Sequence, residues 1–279
     1  MQAMRTTSLN TLRYCCTAGI ILLLWAHACI ADGLKVIIPP FEKTAETHVG
    51  YFYDVLELAL KKTEASYGPF EISFASETSS VNRSLADLKN DVNINVMWTT
   101  IDKRREQDLL PIRISLLREL NNYRIFLIRD GDQSRFDQVQ SINDLRKLTA
   151  GLGSQWPDAD VMRNDDFNVV TSPTYSSLFK MLAAKRFDYF PRGLYEVWDE
   201  AARYKDQGLV IEKTLMLYYQ APFYFFVNKK NTALAERIER GLTIALADGS
   251  FDELFLSVPS YKLGIEEQKN SQRKLFPLH

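Results

Sequence analysis

The residues best suited to chemistry begin with the run Asn93-Ile94-Asn95-Val96-Met97-Trp98-Thr99-Thr100-Ile101-Asp102-Lys103-Arg104. Ile94, Val96 and Trp98 alternate with Asn93, Asn95 and Met97, which predicts a strand with one face buried. Two hydroxyls close it, and an arginine follows five residues after Thr99. In open α/β sheets, ligands bind just beyond the carboxyl ends of the strands. A threonine there can turn a hydroxyl toward a ligand, and an arginine can grip a carboxylate with two parallel hydrogen bonds. Thr99 and Arg104 are therefore the candidate anion grip, with Trp98 facing the same cleft and Arg105 expected in solvent. Ser154, Gln155 and Trp156 form a second candidate, where a short strand opens into a helix start. Free backbone N–H groups and the positive helix end favour an anion there. Arg192 is a third, placed just after another strand end.

The chemistry that is absent narrows the field. Past the N-terminal segment the only histidines are His48 and His279, and no cysteine remains. Nothing has the spacing of a zinc site, a nucleophile–histidine–acid triad or a glycine-rich phosphate loop. No cofactor and no metal are expected. Lys and Arg number 34 against 35 Asp and Glu, so nucleic acid is not an expected partner.

The N-terminus carries Arg5 and Arg13, a short apolar run Ala18–Ala26, and small residues at Ala28, Cys29 and Ala31. That order predicts a secretory signal peptide, residues 1–31, cut after Ala31, and hence a periplasmic protein. The apolar run falls short of the ~20 residues that a spanning helix needs. A lipid anchor on Cys29 is the lesser alternative, because the leucine usual three positions earlier is missing. All three cysteines (Cys15, Cys16, Cys29) lie in this segment, so no disulfide is expected after cleavage. Removing Arg5 and Arg13 leaves 32 basic against 35 acidic residues, a net charge of −3.

Two units of the same kind must position the candidates. The first reads strand Leu34–Ile38, helix Tyr51–Thr63, strand Phe70–Phe74, helix Ser80–Lys89 and strand Asn93–Trp98, a parallel βαβαβ pattern. The second runs from strand Arg124–Ile128 through a helix capped by Ser141 and Asp144 and strand Ala150–Gly153. It continues through strand Val169–Val170, helix Tyr175–Lys185, strand Phe187–Phe190, helix Leu194–Tyr204 and strand Leu209–Ile211. The chain then returns through strand Phe223–Val227 and a helix from Asn231 to Ala247 ended by Gly249. A capping box from Ser250 to Glu253 is expected to start one more helix. The polar tail Gly264–His279 is expected to dock loosely.

Several motifs fall in the order of one family. Gly50-Tyr51-Phe52-Tyr53-Asp54-Val55 resembles its first helix start, and Ser141–Leu145 with Ala150–Ser154 its second-lobe entry. Lys185-Arg186-Phe187-Asp188 and Val227-Asn228-Lys229-Lys230-Asn231 resemble two later motifs, and Thr99 with Arg104 its carboxylate-gripping pair. Together they resemble bacterial extracellular solute-binding proteins of the amino-acid type (family 3). The resemblance covers residues 33–256. It implies the α/β, two-lobed type II periplasmic binding fold, with a mainly parallel sheet flanked by helices in each lobe and two crossings between them. Lobe 1 would comprise 32–120 and 222–279, and lobe 2 would comprise 121–221, with hinges near Asn121–Arg124 and Tyr219–Phe223. It places Phe41 over the ligand.

The resemblance also implies a non-enzymatic monomer that binds a small-molecule ligand between hinged lobes and presents it to an ABC-type membrane permease. A membrane receptor is the alternative partner, and a dehydratase-like enzyme on the same fold, with Glu196 or Glu42 as general acid, is a third reading. One departure stands out. The family's amino-acid binders usually carry an aspartate near Arg192 for the ligand's ammonium, and here that acid is missing. The expected ligand is then net negative or lacks a free α-amino group, unless Glu196, Asp158 or Asp160 replaces the acid.

Overall fold

A computed structural model of the chain describes residues 33–40, 47–77 and 80–278, with the side chains of 47–49 excepted. The expected signal peptide lies outside these residues, as do Phe41 and Glu42.

Strand β1 (Leu34–Ile38) pairs in parallel with β2 (Phe70–Phe74), joined by helix α1 (Thr47–Tyr67). Phe52, Val55, Leu56, Ala59 and Leu60 recur at helical spacing on α1, and all are buried. Ser80 caps α2 (Val81–Asn90) by accepting from the Arg83 N–H, and Asp91 ends it in the left-handed conformation. The third strand begins later than the alternation predicts. Asn93 has φ 59°, and the Asn95 side chain accepts from Ile37 N–H at 2.7 Å and donates to the Lys35 carbonyl at 2.8 Å. The side chain thus bonds β1 beside its own backbone N–H, which donates to the Ile37 carbonyl at 2.9 Å, and β3 spans Met97–Thr100. Asp102 caps the short helix α3 (Lys103–Asp108), which leads into β4 (Leu109–Ile112).

The second lobe begins with β5 (Tyr123–Arg129), followed by α4 (Gln133–Asp137) and α5 (Ile142–Arg146). The expected Ser141–Asp144 capping box is present at α5. Strand β6 (Thr149–Gly153), α6 (Pro157–Asn164), β7 (Asn168–Ser172), α7 (Tyr175–Ala183), β8 (Phe190–Gly193), α8 (Val197–Arg203), β9 (Leu209–Ile211) and β10 (Leu215–Tyr218) complete it. Strands β6 and β7 are parallel, and Gly151 N–H joins them to Tyr189 ahead of β8. The second unit is not parallel throughout, because β5 runs antiparallel to β8, β9 and β10.

The chain returns through β11 (Phe223–Asn228), which lies antiparallel between β3 and β4. Helix α9 (Thr232–Ala247) then packs along α1 at a close approach. A Cβ on Gly241 would lie 1.9 Å from the Ala59 carbonyl oxygen, so only glycine fits. Helix α10 (Ser250–Ser257) starts after Gly249 at φ 84°, with no side-chain cap. Ser250 is its first residue and not the expected cap.

The tail is structured rather than loose. Helix α11 (Pro259–Asn270) leads to β12 (Lys274–Pro277), which pairs in parallel with β10 on the second lobe's sheet. Arg273 explains why. It ion-pairs with the fully buried Glu212 at 3.2 Å and bonds Glu267 at 2.9 Å. Phe276 and Leu278 are buried in the second lobe's core. The last strand therefore belongs to that sheet and not to the first lobe, and it adds a third passage between the lobes.

The other two passages are bonded to each other. Asn121 Nδ2 donates to the Ala221 carbonyl at 2.6 Å, Ala221 N–H donates to Asn122 Oδ1 at 2.9 Å, and Tyr219 N–H donates to the Asn122 carbonyl at 3.0 Å.

Candidate functional site

Strand ends from both lobes meet at a cavity of about 330 Å³. Phe52, Trp98, Thr99, Thr100, Arg105 and Phe223 line it from the first lobe. Trp156, Asp158, Tyr175, Arg192, Tyr195 and Glu196 line it from the second, with Asn121 and Arg124 at the crossing. Trp98 stacks on Phe52 at 5.6 Å between ring centroids, and Phe223 stacks on Phe52 at 4.9 Å. The first-lobe wall is thus an aromatic stack beside two buried threonines.

The arginine on that wall is Arg105. Arg104 is exposed and faces an outer groove with Lys89 and Lys103, which corrects the expectation for both residues. The cap fixes the phase of α3. Asp102 Oδ1 accepts from the Arg105 N–H at 2.7 Å, and its other oxygen lies 3.2 Å from Arg105 Nε. Successive helical side chains are about 100° apart, so turning Arg105 inward turns Arg104 out. Arg105 Nη1 donates to the Thr100 carbonyl at 2.6 Å, and Nη2 donates across the cleft to the Gln155 carbonyl at 3.2 Å. Burial lowers the Arg105 pKa, against the charges of Asp102 and Asp158. Thr100 and Arg105 have the same five-residue spacing as Thr99 and Arg104, and this doubling hid the choice in the sequence. Asp102, three residues before Arg105, was the signal that could have resolved it.

The turn at Ser154–Trp156 is not the anion cradle expected. Ser154 N–H is bonded to the Ser172 carbonyl, Trp156 N–H to the Gly153 carbonyl, and α6 starts with Pro157, which has no N–H. Asp158 and Asp160 already place negative charge in its first turn. Ser154 is exposed in the outer groove. Gln155 instead joins the lobes, accepting from Arg105 through its carbonyl and from Asn82 N–H at 3.3 Å through its side chain. Trp156 does line the cavity. It folds back over Gly153, where a Cβ would come within 2.5 Å of the indole.

Arg192 lines the cavity but is not a lone cation. Nε and Nη2 donate to the two Glu200 oxygens at 2.7 and 2.6 Å, and Nη2 lies 2.7 Å from Glu196. Glu196 also accepts from Gly193 N–H, and Tyr175 donates to Glu200 at 2.5 Å. Burial pulls the Arg192 pKa down, but Glu196 and Glu200 outweigh it and hold the pKa well above the usual value. Burial and the neighbouring Glu196 raise the pKa of Glu200, against Arg192.

A second buried pair, which sequence reasoning missed, sits beside it. Arg124 Nε and Nη2 donate to Asp158 Oδ1 at 3.0 and 2.7 Å, and Tyr219 donates to the same oxygen at 2.6 Å. Burial would raise the Asp158 pKa, but Arg124 and Tyr219 hold it below the usual value. In all, three guanidiniums (Arg105, Arg124, Arg192) are ion-paired with four carboxylates (Asp102, Asp158, Glu196, Glu200), of which Asp158 and Glu196 line the cavity with the three arginines. The unpaired positive wall that would select an anionic ligand is not present.

Among the described residues no group of three His, Cys, Asp or Glu is placed to hold a metal ion. No helix among them is long and apolar enough to cross a membrane.

No family model and no curated protein matches the chain. Its fold is shared by many solved structures. An ancestral arginine-binding protein bound to glutamine matches with a TM-score of 0.62 at 16% identity, covering 82% of this chain and 98% of that one. A Salmonella typhimurium periplasmic binding protein described by its high arginine specificity matches with a TM-score of 0.61 at 15% identity, covering 81% and 99%. A histidine kinase sensor domain with similarity to periplasmic binding proteins matches with a TM-score of 0.59 at 14% identity, covering 82% and 96%. At these identities the likeness establishes the fold: the chain has the type II periplasmic binding fold.

Proposed function

We propose that this protein captures a small amino-acid-type solute between its two lobes. The observation that carries this reading is the cavity of about 330 Å³, walled by strand ends of both lobes and bridged by Arg105. Its size lies at the small end of ligand sites, which run from about 300 to 1,000 Å³. Arg105 Nε faces Asp102, and one hydrogen on each Nη goes to a carbonyl. Each Nη carries two hydrogens, so one on each remains for a carboxylate, with Thr99 and Thr100 alongside. Each arginine of the wall already has a carboxylate partner, and Asp158 and Glu196 themselves line the cavity, so a ligand that also carries a cationic group fits, with its ammonium toward Glu196 and Asp158. A zwitterion fits both ends, in place of the net negative ligand, or one without a free α-amino group, that the missing acid near Arg192 implies.

Delivery to a membrane permease after export to the periplasm is the output that suits this architecture, and it is part of the proposal. The neighbouring folds described as arginine-binding, together with the basic n-region and apolar run at the N-terminus, support it. Glu196, the candidate general acid of the enzyme reading, has its oxygens on Arg192 and Gly193 N–H, so a binding role fits it better.

A thermal-shift screen against amino acids, organic acids, short peptides and polyamines tests the reading. A ligand of the folded state alone raises the melting temperature with concentration. The expected result is a rise with one or more zwitterionic amino acids. No rise with any of them, or a rise only with dicarboxylates, would contradict it.

A further inference from the structure

On the second-lobe wall the Arg192 guanidinium sits among aromatic rings and carboxylates. The Arg192 guanidinium carbon lies 4.8 Å from the Trp156 ring centroid, 4.6 Å from that of Phe190 and 5.6 Å from that of Tyr175. All three distances are within the ~6 Å reach of a cation–π contact. Glu200 takes its Nε–Nη2 edge with both oxygens, and Glu196 takes Nη2 again. Planar donors met by a paired carboxylate edge and aromatic faces are the features that select a guanidinium over a point charge.

A purely structural pair needs one carboxylate for one guanidinium. Here two carboxylates, 5% and 2% exposed, meet one guanidinium that is itself 5% exposed, at the edge of a cavity open to ligands. The second carboxylate is relieved by hydrogen bonds, from Tyr175 to Glu200 and from Gly193 N–H to Glu196, and the pair still holds more acid than one guanidinium neutralises, so it can accept a further cation.

We propose that Arg192 is a specificity-determining residue that acts as a built-in guanidinium occupant: it holds the position where the cationic end of a longer ligand would otherwise dock. With Arg192 in place the cavity takes compact zwitterions and turns away ligands with a guanidinium tail. With Arg192 shortened, the Glu196–Glu200–Trp156–Tyr175 pocket becomes a guanidinium receptor. The first half rests on the cavity being the solute site. The second half depends only on the pocket, and it can be tested without knowing the solute.

The test uses melting temperatures of the full mature chain with methylguanidinium chloride, against tetramethylammonium chloride at equal concentration. Arg192→Ala should melt lower than wild type, and methylguanidinium should raise its melting temperature with concentration while tetramethylammonium does not. If that variant does not fold, Arg192→Ala/Glu196→Gln leaves one carboxylate, which can take up a proton and so removes the unpaired charge. The same rise is expected there. Adding Glu200→Gln to Arg192→Ala should weaken the methylguanidinium effect by at least about tenfold, as expected for losing one partner of a buried charge pair. Wild type should respond to neither methylguanidinium nor L-arginine.

A folded Arg192→Ala or Arg192→Ala/Glu196→Gln with no guanidinium-specific rise would overturn the proposal. So would a rise unchanged by Glu200→Gln, or wild type stabilised by either guanidinium compound. If the amino-acid screen finds no solute but the rescue works, the solute reading fails and the occupied pocket stands.

Discussion

The two walls of the cavity use arginine in opposite ways. On the first-lobe wall, Arg105 is 6% exposed, yet two of its acceptors are backbone carbonyls, and its one carboxylate partner, Asp102, is 31% exposed at the side chain. On the second-lobe wall, Arg124 and Arg192 are held by the buried acids Asp158, Glu196 and Glu200 and by tyrosine hydroxyls that complete the networks. Burial is similar on the two sides, and pairing is not. A guanidinium bonded mainly to neutral carbonyls keeps its charge for a ligand, whereas a guanidinium neutralised by buried carboxylates is part of the frame. In the proposed reading the first wall takes the carboxylate of the solute, and the second its cationic end.

The largest expected effect breaks the frame. Asp158→Ala strands Arg124 and takes the acceptor from Tyr219, and losing one partner of a buried pair costs about 3–5 kcal/mol. Urea unfolding should show a free energy of unfolding lower by that amount, and a correspondingly lower midpoint. Arg105→Ala should lower stability by clearly less. Equal losses in the two variants would erase the contrast between the walls.

A smaller effect is expected where the C-terminal strand supports the second wall. Arg273→Ala leaves buried Glu212 without its cation and loosens β12 beside β10. Glu212 keeps its bonds from Gln133, Thr214 and Leu215 N–H, so the loss is that of its countercharge, about 1–3 kcal/mol. The expected outcome is reduced stability with solute affinity within about threefold of wild type. Loss of binding at unchanged stability would show that the tail serves the site directly.

The pH dependence sharpens the contrast within the second wall. The folded pKa of Asp158 lies below its usual 3.8, so its contribution is present above that value and is lost as pH falls through the folded pKa. That of Glu200 lies above its usual 4.5, so its contribution is present below 4.5 and is lost as pH rises through the raised value. Denaturant unfolding from about pH 3 to about pH 7 should therefore show two opposite trends. The stability gap between wild type and Asp158→Asn widens with rising pH, and the gap to Glu200→Gln narrows. Parallel trends in the two variants would contradict the assigned shifts.

Much of this frame could be read from the residues. Periodicity located α1, β2, β9 and α9, and the Ser141–Asp144 cap, because each is a local pattern with a local cause. Legibility ended where a long-range partner decided. The strand at Asn93 is displaced because Asn95 pairs with β1, almost 60 positions away. The tail is ordered because Arg273 meets Glu212, and no window of sequence contains both. At the site, Trp98, Trp156 and Arg192 do line the cavity, but of the neutralising partners of Arg192 only Glu196 was legible as a candidate, and Glu200 was not. Arg104 and Arg105 are adjacent and chemically identical, so only the cap at Asp102 could separate them.

The central claim is that Arg105, not its neighbour, holds the solute. Calorimetric titration of the solute found by the thermal-shift screen into wild type, Arg104→Ala and Arg105→Ala tests it most directly. The account predicts a loss of about 2–5 kcal/mol in Arg105→Ala, the range for truncating one partner of a buried charge pair, and affinity within about twofold of wild type in Arg104→Ala. At 1.4 kcal/mol per decade, the first is roughly thirtyfold or more in Kd. Undiminished binding by Arg105→Ala, or the loss falling on Arg104→Ala instead, would contradict it.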